Sequence, residues 1–195
     1  MFLYLVRHGQ SVGNVRRTFH GQTDYPLTPE GRRQAQQAAE KLREVSFTRC
    51  FASDLQRAWD TAQICVAGRG IAVEPCLGLR EHYIGQLEDL TWEQMEARYP
   101  QYIHAYLEDW AHCLPPDGEA PEAMALRVGQ AVDQIIAQGE DALLAAHNGS
   151  LSLVLVHLGL MSMDEVLKPG HIFGQGTYSA VEITDNGPRL LFLDR

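Results

Sequence analysis

The sequence contains few cysteines, and no two of them have the spacing of a metal or redox motif. Its four cysteines are Cys50, Cys65, Cys76 and Cys113. None of them forms a C-x-x-C pair, so zinc-binding and thioredoxin-like sites have no support. Unpaired cysteines are usually small buried apolar residues in a reducing compartment. We therefore expect a cytoplasmic protein.

Long apolar runs and excess positive charge are also missing. The apolar run at residues 2–6 is too short for a signal sequence. No segment approaches the roughly 20 apolar residues of a membrane helix. The formal net charge of −9 disfavours a surface that covers nucleic acid or an anionic membrane. We expect neither as a partner, although a few arginines in one cleft can still attract a phosphate group.

What the sequence does contain is an alternation of apolar strands and amphipathic helices. Residues 2–6, 49–52, 71–73 and 142–146 are predicted strands, and the first and last of these resemble strands buried on both faces of a parallel sheet. Helices are predicted from Thr28, from Ser53, from Pro121 and over residues 150–158. Residues 178–183 and 190–193 are predicted to form a hairpin with Asn186-Gly187 as its turn.

This order predicts an α/β fold: a three-layer sandwich, with a mostly parallel central sheet and helices on both faces. No linker or repeat divides the 195 residues, so one domain spanning residues 1–195 is expected. A segment at about 74–120 interrupts the alternation. It is irregular over 74–90, and the aromatic-rich stretch 91–113 is predicted to form two short helices broken at Pro100. We interpret this segment as a small helical insertion.

Arg7-His8-Gly9 follows the first predicted strand and combines residues suited to anion chemistry. An arginine presents a planar fork of donors that matches phosphate oxygens. A neutral imidazole can attack phosphorus to give a covalent phosphohistidine, and Gly9 lets the backbone come close to a ligand. On these three residues alone, a surface histidine that follows a buried strand is the favoured interpretation.

Separated blocks further along the chain extend this pattern. They are Gly21-Gln22-Thr23-Asp24, residues 26–31, residues 53–58, Leu79-Arg80-Glu81 and Ala146-His147. In this order the sequence resembles the histidine phosphatase family, also called the phosphoglycerate mutase-like family, over almost its whole length. It is most similar to the small bacterial phosphatases of that family, which include broad-specificity phosphatases and α-ribazole phosphatase.

The resemblance implies a role for each matching residue. His8 would be the phosphorylated nucleophile, and Glu81 would donate a proton to the leaving oxygen. The implied phosphate-binding residues are Arg7, Asn14, Arg57, His147 and Asn148. Possible substrate contacts are His20, Gln22 and His82. In this fold the 74–120 segment would lie over the active site as a lid.

Two further expectations concern metals and departures from the family pattern. Two arginines and a protonated histidine could replace the metal of other phosphoryl-transfer sites, so no metal and no other cofactor is predicted. The family commonly has His-Gly where this chain has His147-Asn148, although asparagine still supplies a backbone N–H. Gly118-Glu119-Ala120 resembles the family's Gly-Glu-Ser with the serine lost.

The family contains both phosphatases and cofactor-dependent mutases. The mutases have an arginine-rich stretch and a triple proline between the acid and the last histidine. Residues 91–120 contain a single arginine, Arg98, and their only adjacent prolines are the pair Pro115-Pro116. This favours a metal-independent phosphomonoesterase that forms a phosphohistidine on a small phosphorylated metabolite and releases inorganic phosphate. A phosphoglycerate mutase and a phosphate-binding regulatory pseudoenzyme remain alternatives. Neither the physiological substrate nor the oligomeric state is indicated.

Overall fold

The computed structural model describes residues 1–109, 112–166 and 173–194. In this part of the chain a sheet has the order β3-β2-β4-β1-β5-β6. Its strands are β1 (Phe2–Arg7), β2 (Arg49–Ala52), β3 (Val73–Pro75), β4 (Ala142–Ala146), β5 (Tyr178–Thr184) and β6 (Gly187–Phe192). Strands β1 to β4 pair in parallel, and the terminal hairpin β5–β6 is antiparallel. The predicted mostly parallel sheet is confirmed.

Helices cover both faces of this sheet, as the sequence predicted. They are α1 (Val12–Arg16), α2 (Pro29–Lys41), α3 (Gln56–Val66), α4 (Trp92–Arg98), α5 (Pro100–Asp109), α6 (Pro121–Ile136), α7 (Asn148–His157) and α8 (Met163–Val166). In β4, Leu144 packs in a core with α6 and α7, whereas the adjacent Leu143 packs in a core with α2 and α3. Alternate side chains of one fully buried strand therefore supply two separate cores, which makes the three layers.

Several predicted boundaries move by a few residues. Strand β3 is Val73–Pro75 and not 71–73, and α7 begins at Asn148, before the predicted Ser150. Ser53 was expected to cap the second long helix, but α3 begins at Gln56 and its first turn has no side-chain cap. The Ser53 hydroxyl instead contacts His147. Residues 110 and 111 of the predicted 91–113 helices lie outside the described residues.

The 74–120 segment has a small apolar core of its own. Short 3₁₀ turns at Leu77–Leu79 and Gly85–Leu87 precede helices α4 and α5, which break at Pro100 as predicted. Leu87, Leu90, Met95 and Ile103 form the buried cluster between these elements. No helix in the described ranges is long and apolar enough to span a membrane.

The backbone of the loop after β1 lies directly against the backbone at the start of α2. A Cβ atom added to Gly9 would lie 2.2 Å from the carbonyl oxygen of Gly31, and one added to Gly31 would lie 2.0 Å from that of Gln10. Both distances are too short for any real Cβ contact, so these two glycines permit the crossing of loop and helix. The position of His8 beside this helix depends on that crossing.

A Gly31→Ala substitution should therefore destabilise the protein, although alanine is the better helix former. We expect the free energy of unfolding to fall by about 1–3 kcal/mol, because backbone atoms must move to admit the methyl group. Gly129 of α6 is the matched control, since its added Cβ would meet only the His157 ring, at 2.6 Å. Urea denaturation should show a change below about 1 kcal/mol for Gly129→Ala, and equal effects of the two substitutions would contradict the packing argument.

Candidate active site

His8 lies immediately after β1, at the carboxyl end of the parallel strands. Its backbone N–H donates to the Ala146 carbonyl at 3.0 Å, which ties it to the end of β4. Its ring Nδ1 lies 2.7 Å from the Gly9 carbonyl oxygen. A carbonyl oxygen can only accept, so Nδ1 carries the proton and the lone pair of the neutral ring is on Nε2. This is the tautomer that a nitrogen nucleophile at Nε2 requires.

The electrostatic surroundings keep this ring neutral. Burial lowers the pKa of His8 well below its ordinary value, and the positive charges of Arg57 and Arg7 lower it further. The hydrogen bond to the Gly9 carbonyl acts in the opposite direction but is outweighed. At neutral pH the imidazole therefore retains the free electron pair needed for attack on phosphorus.

Two arginines, the buried Arg57 and the half-buried Arg7, lie close to His8. Arg57 is 1% exposed and donates to the carbonyls of Thr23 at 2.9 Å, Gly21 at 2.7 Å and His20 at 3.2 Å. Arg7 donates to the Phe173 carbonyl at 2.5 Å. Among the described residues neither forms an ion pair, although Glu81 lies in coulombic range of both, and the buried Nε of each has no acceptor. Buried charges are normally paired, so this arrangement is suited to an anion.

His147 is completely buried and its ring contacts the ring of His8. Its Nε2 is 2.8 Å from the Ser53 hydroxyl, and its ring meets the His8 ring with the centroids 5.1 Å apart. Burial and the charge of Arg57 hold the pKa of His147 well below its ordinary value. The neutral form of the ring is therefore favoured, in contrast to the protonated histidine expected from the sequence. His147 is not part of the cavity wall, and its contact with phosphate stays a prediction.

The Glu81 carboxylate lies in the cavity wall and is oriented by two backbone donors. Its Oε2 accepts the Gly149 N–H at 3.0 Å, and its Oε1 accepts the His82 N–H at 3.0 Å. A Cβ atom at position 149 would lie 2.4 Å from Oε1. The position after Asn148 thus has to be glycine for this carboxylate to remain where it is.

The two predicted asparagines both line the cavity, each with its side-chain oxygen engaged. In Asn14, Oδ1 accepts the Ser11 N–H at 2.9 Å, which leaves the amide N–H groups as donors. In Asn148, Oδ1 accepts the Phe173 N–H at 2.8 Å. Asn148 is the first residue of α7 and its φ is not positive. An asparagine can therefore stand here, where the family commonly has a glycine, without backbone strain. The positive end of the α7 dipole lies at this position.

Of the three possible substrate contacts, two line the cavity and one does not. His20 and His82 line the cavity, with one ring nitrogen of each bonded to a carbonyl, of Thr18 at 2.8 Å and of Glu119 at 2.7 Å respectively. Gln22 does not line it, because its amide lies between the Glu81 carbonyl at 3.1 Å and the Arg80 guanidinium at 3.4 Å. The geometry gives no support to Gln22 as a substrate contact.

The cavity that these residues enclose has a volume of about 440 Å³ and a mixed polar and apolar lining. Arg57, Arg7 and His20 are close enough to His8 to lower its pKa. The rest of the lining is mostly apolar and includes Phe19, Ile84, Leu87, Trp92, Met95, Tyr102, Ile103, Tyr106, Cys113, Met124, Leu153 and Val166. Helices α4 and α5 supply several of these, as expected of a lid. Within the described chain no cluster of three or more His, Cys, Asp or Glu side chains could hold a metal ion.

Sequence reasoning missed three residues that support this site. Ser53 holds His147, and Arg127 and Glu119 contact the backbone around Glu81. Ser53 belongs to the 53–58 block, and Glu119 to the Gly-Glu-Ala remnant, so both were visible as motif members. Arg127 carries no local signal, because a lone arginine on a helix is most often solvated.

The chain is similar to known proteins over most of its length. Residues 3–194 match the model of the histidine phosphatase superfamily (branch 1). The chain is 31% identical over its full length to an adenosylcobalamin/alpha-ribazole phosphatase of Salmonella typhimurium, of which it covers 96%. It is also 31% identical to a 2,3-bisphosphoglycerate-dependent phosphoglycerate mutase 2 of Gloeobacter violaceus, over 85% of this chain and 79% of that protein.

A solved structure agrees with these matches. The alpha-ribazole phosphatase of Shigella flexneri superposes with a TM-score of 0.92 at 30% identity, covering 100% of this chain and 96% of that one. The family resemblance stated from the sequence is confirmed.

The two buried neutral histidines predict a dependence of stability on pH. Their pKa values are lower in the folded protein than in the unfolded chain, where histidine has a pKa of about 6.5. Below that pH the unfolded chain binds protons that the native protein does not. The free energy of unfolding should therefore decrease on acidification, by about 1.4 kcal/mol per pH unit for each such histidine, until the folded pKa is reached.

Urea denaturation between pH 7.5 and pH 5 would measure this slope. His147→Gln should reduce it by about 1.4 kcal/mol per pH unit. Ser53→Ala is the matched control, because it removes the hydrogen-bond partner of His147 without removing a titrating group, and it should retain the slope. An unchanged slope in His147→Gln would show that this ring is not held neutral.

Proposed function

The chain belongs to the histidine phosphatase superfamily, and we propose that it hydrolyses a small phosphomonoester with His8 as the nucleophile. A phosphohistidine intermediate is typical of this family. One observation carries the assignment to these residues. A neutral imidazole with its lone pair on Nε2 lies in a cavity wall with Arg57 and Arg7, neither of which forms an ion pair among the described residues.

In the first step the phosphoryl oxygens are bound by Arg7 and Arg57. The Nε2 lone pair of His8 attacks phosphorus, an N–P bond forms and the P–O bond to the leaving alcohol breaks. The leaving oxygen receives a proton from the Glu81 carboxyl group. Charge spreads over the equatorial oxygens in the transition state, so positioned cations and donors do most of the work. We include Asn14, His147 and Asn148 among those donors.

In the second step water is the acceptor. The Glu81 carboxylate takes a proton from the water molecule as its oxygen attacks phosphorus, and the N–P bond breaks. His8 regains its lone pair, Glu81 is protonated again, and inorganic phosphate leaves. No metal takes part in this proposed sequence, because the two guanidinium groups supply the positive charge.

The apolar part of the cavity supports a substrate whose leaving group has an apolar or aromatic body. Phe19, Trp92, Tyr102 and Tyr106 offer ring faces and edges to such a group. Relatives of this chain are named for alpha-ribazole phosphatase activity, so alpha-ribazole phosphate is the first compound to assay. We propose that His20 and His82, which line the cavity, contact the part of the substrate next to the phosphate.

A phosphoglycerate mutase is the second candidate, favoured by the similarity to such an enzyme. Its substrates carry several negative groups on a small carbon skeleton. Among the described residues that line the cavity, Arg7 and Arg57 are the only arginines or lysines. Those two are already assigned to one phosphoryl group, so hydrolysis of a singly phosphorylated apolar compound fits the charges better.

The domain and its location complete the proposal. We propose that residues 1–195 act as one domain with 74–120 as its lid, which is supported by the separate apolar cluster in that segment. A cytoplasmic location is supported by unpaired cysteines. Burial raises the pKa of the Cys50 and Cys65 thiols to about 12, so both are unreactive core residues.

Substitution of the nucleophile tests the central assignment. Purified protein without added metal should hydrolyse p-nitrophenyl phosphate and alpha-ribazole phosphate, and His8→Ala should lower kcat by more than about 10⁴-fold, because no other group can form the intermediate. Rapid quenching of the wild-type reaction in alkali should trap phosphate on the protein in an acid-labile, base-stable linkage that His8→Ala lacks.

His104→Ala changes an exposed histidine of α5 and should retain activity within about twofold. Interconversion of 3- and 2-phosphoglycerate, stimulated by a bisphosphate, would establish the mutase instead. Binding of phosphate without turnover of any phosphomonoester would establish a regulatory pseudoenzyme.

Substrate preference should depend on the lid. Tyr106→Ala removes a ring from the cavity wall, and it should raise KM for naphthyl phosphate by about tenfold while changing KM for glycerol phosphate by less than about threefold. Leu107→Ala is the matched control in the same helix, since Leu107 is 70% exposed. Equal effects of Tyr106→Ala on the two substrates would show that the apolar part of the cavity does not bind the leaving group.

A further inference from the structure

Arg127 of α6 lies outside the cavity wall, yet it is bound to the backbone that carries Glu81. Its guanidinium donates to the carbonyl oxygens of Gly78 at 2.9 Å, Arg80 at 2.8 Å and Glu81 at 3.0 Å. A single side chain thus fixes most of the loop that leads to the general acid. This loop has no regular secondary structure at Arg80 and Glu81 to hold it.

Glu119 completes the arrangement from the other side. Its carboxylate accepts from Nε of Arg127 at 2.6 Å and from NH2 at 2.8 Å, a bidentate pair in which both side chains are about four-fifths buried. Its backbone N–H donates to the Tyr83 carbonyl at 2.8 Å, and its carbonyl accepts from His82 Nε2 at 2.7 Å. Residues 82 and 83, which follow the acid, are therefore tied to Glu119.

The hydrogen-bonding capacity of Arg127 is fully used. A guanidinium group has five N–H donors, and these five bonds, three to carbonyls and two to a carboxylate, account for all of them. A partly buried, bidentate pair of this kind has a defined geometry, unlike an exposed ion pair. We call Arg127 and Glu119 together the acid-loop clamp.

We propose that the acid-loop clamp positions the Glu81 carboxyl group for proton transfer to the leaving oxygen. It acts through the backbone of residues 78–83, and neither member touches the substrate. The inference rests on the proposed function, because it gives Glu81 the role of general acid. General acid catalysis needs a donor within about 2.6–3.2 Å of the atom that it protonates, and a misplacement of about 1 Å can cost on the order of 100-fold in rate.

The dependence of rate on the leaving group separates positioning from a merely structural role. A leaving group that is stable as an anion, such as 2,4-dinitrophenolate, departs without protonation, whereas an alkoxide or a simple phenoxide needs the proton. A misplaced Glu81 should therefore slow alkyl phosphates and phenyl phosphate while sparing 2,4-dinitrophenyl phosphate. A general loosening of the fold would slow all of them alike.

The experiment measures kcat/KM across that series for wild type, Glu81→Gln, Arg127→Met and the double variant. We expect Arg127→Met to lower kcat/KM about 10–100-fold for the alkyl phosphate and less than about threefold for 2,4-dinitrophenyl phosphate. In the Glu81→Gln background the Arg127 substitution should have almost no further effect, because the two changes remove the same contribution.

Arg49 provides a matched control at the amino end of β2, whereas the site lies at the carboxyl ends of the parallel strands. It begins β2, its side chain is 28% exposed, and it pairs with Glu74 and Glu140. Arg49→Met should leave the leaving-group dependence as in wild type. A second pair of variants, Arg127→Lys and Glu119→Gln, keeps part of the hydrogen bonding and decides the question if Arg127→Met fails to fold. Both should show the same selective loss, smaller in size.

The outcomes distinguish the inference from the function on which it rests. No turnover of any phosphomonoester by wild type would overturn the proposed function. Turnover that depends on Glu81, together with a uniform loss across the series in the folded clamp variants, would overturn the clamp alone. Additive effects of Glu81→Gln and Arg127→Met would also overturn it.

Discussion

The site depends on the guanidinium groups of Arg57 and Arg7, which form no ion pair among the described residues although Glu81 lies in coulombic range of both. Arg57 is oriented by three carbonyl oxygens of the 20–23 loop and Arg7 by the carbonyl of Phe173. Neutral acceptors fix the direction of a guanidinium group without removing its charge, whereas a carboxylate would fix the direction and also compete with a phosphate. In a chain with a net charge of −9 this keeps a small region positive.

The same cations decide the state of the nucleophile. Their charge and the burial of the ring both lower the pKa of His8, and the Gly9 carbonyl fixes which nitrogen carries the proton. A phosphate-binding site and a neutral imidazole are thus consequences of one arrangement. His147 experiences the same field and is neutral for the same reasons. Both effects oppose the protonated histidine expected from the sequence.

The sequence predicted the parts of the fold that have a local cause. The buried strands β1 and β4 are continuous apolar runs, and the residues that follow them, His8 and His147, were correctly expected at the ends of strands. Ser53 could not be assigned, because a serine before a helix usually caps it and only the folded chain shows the hydroxyl against His147. Gln22 stays a prediction as a substrate contact: its residue type suits a ligand, but its amide donates to the backbone carbonyl of Glu81.

The two proposed catalytic groups are held by different kinds of structure. His8 follows a strand that is paired on both sides within the sheet, so its position is fixed by backbone hydrogen bonds that any sequence would make. Glu81 lies on an irregular loop, and the carbonyls of that loop need donors from elsewhere. Arg127, 46 residues later in the chain, supplies them. Because such a partner is selected by carbonyl positions and not by side-chain pattern, it is the part of the site that sequence alone cannot reveal.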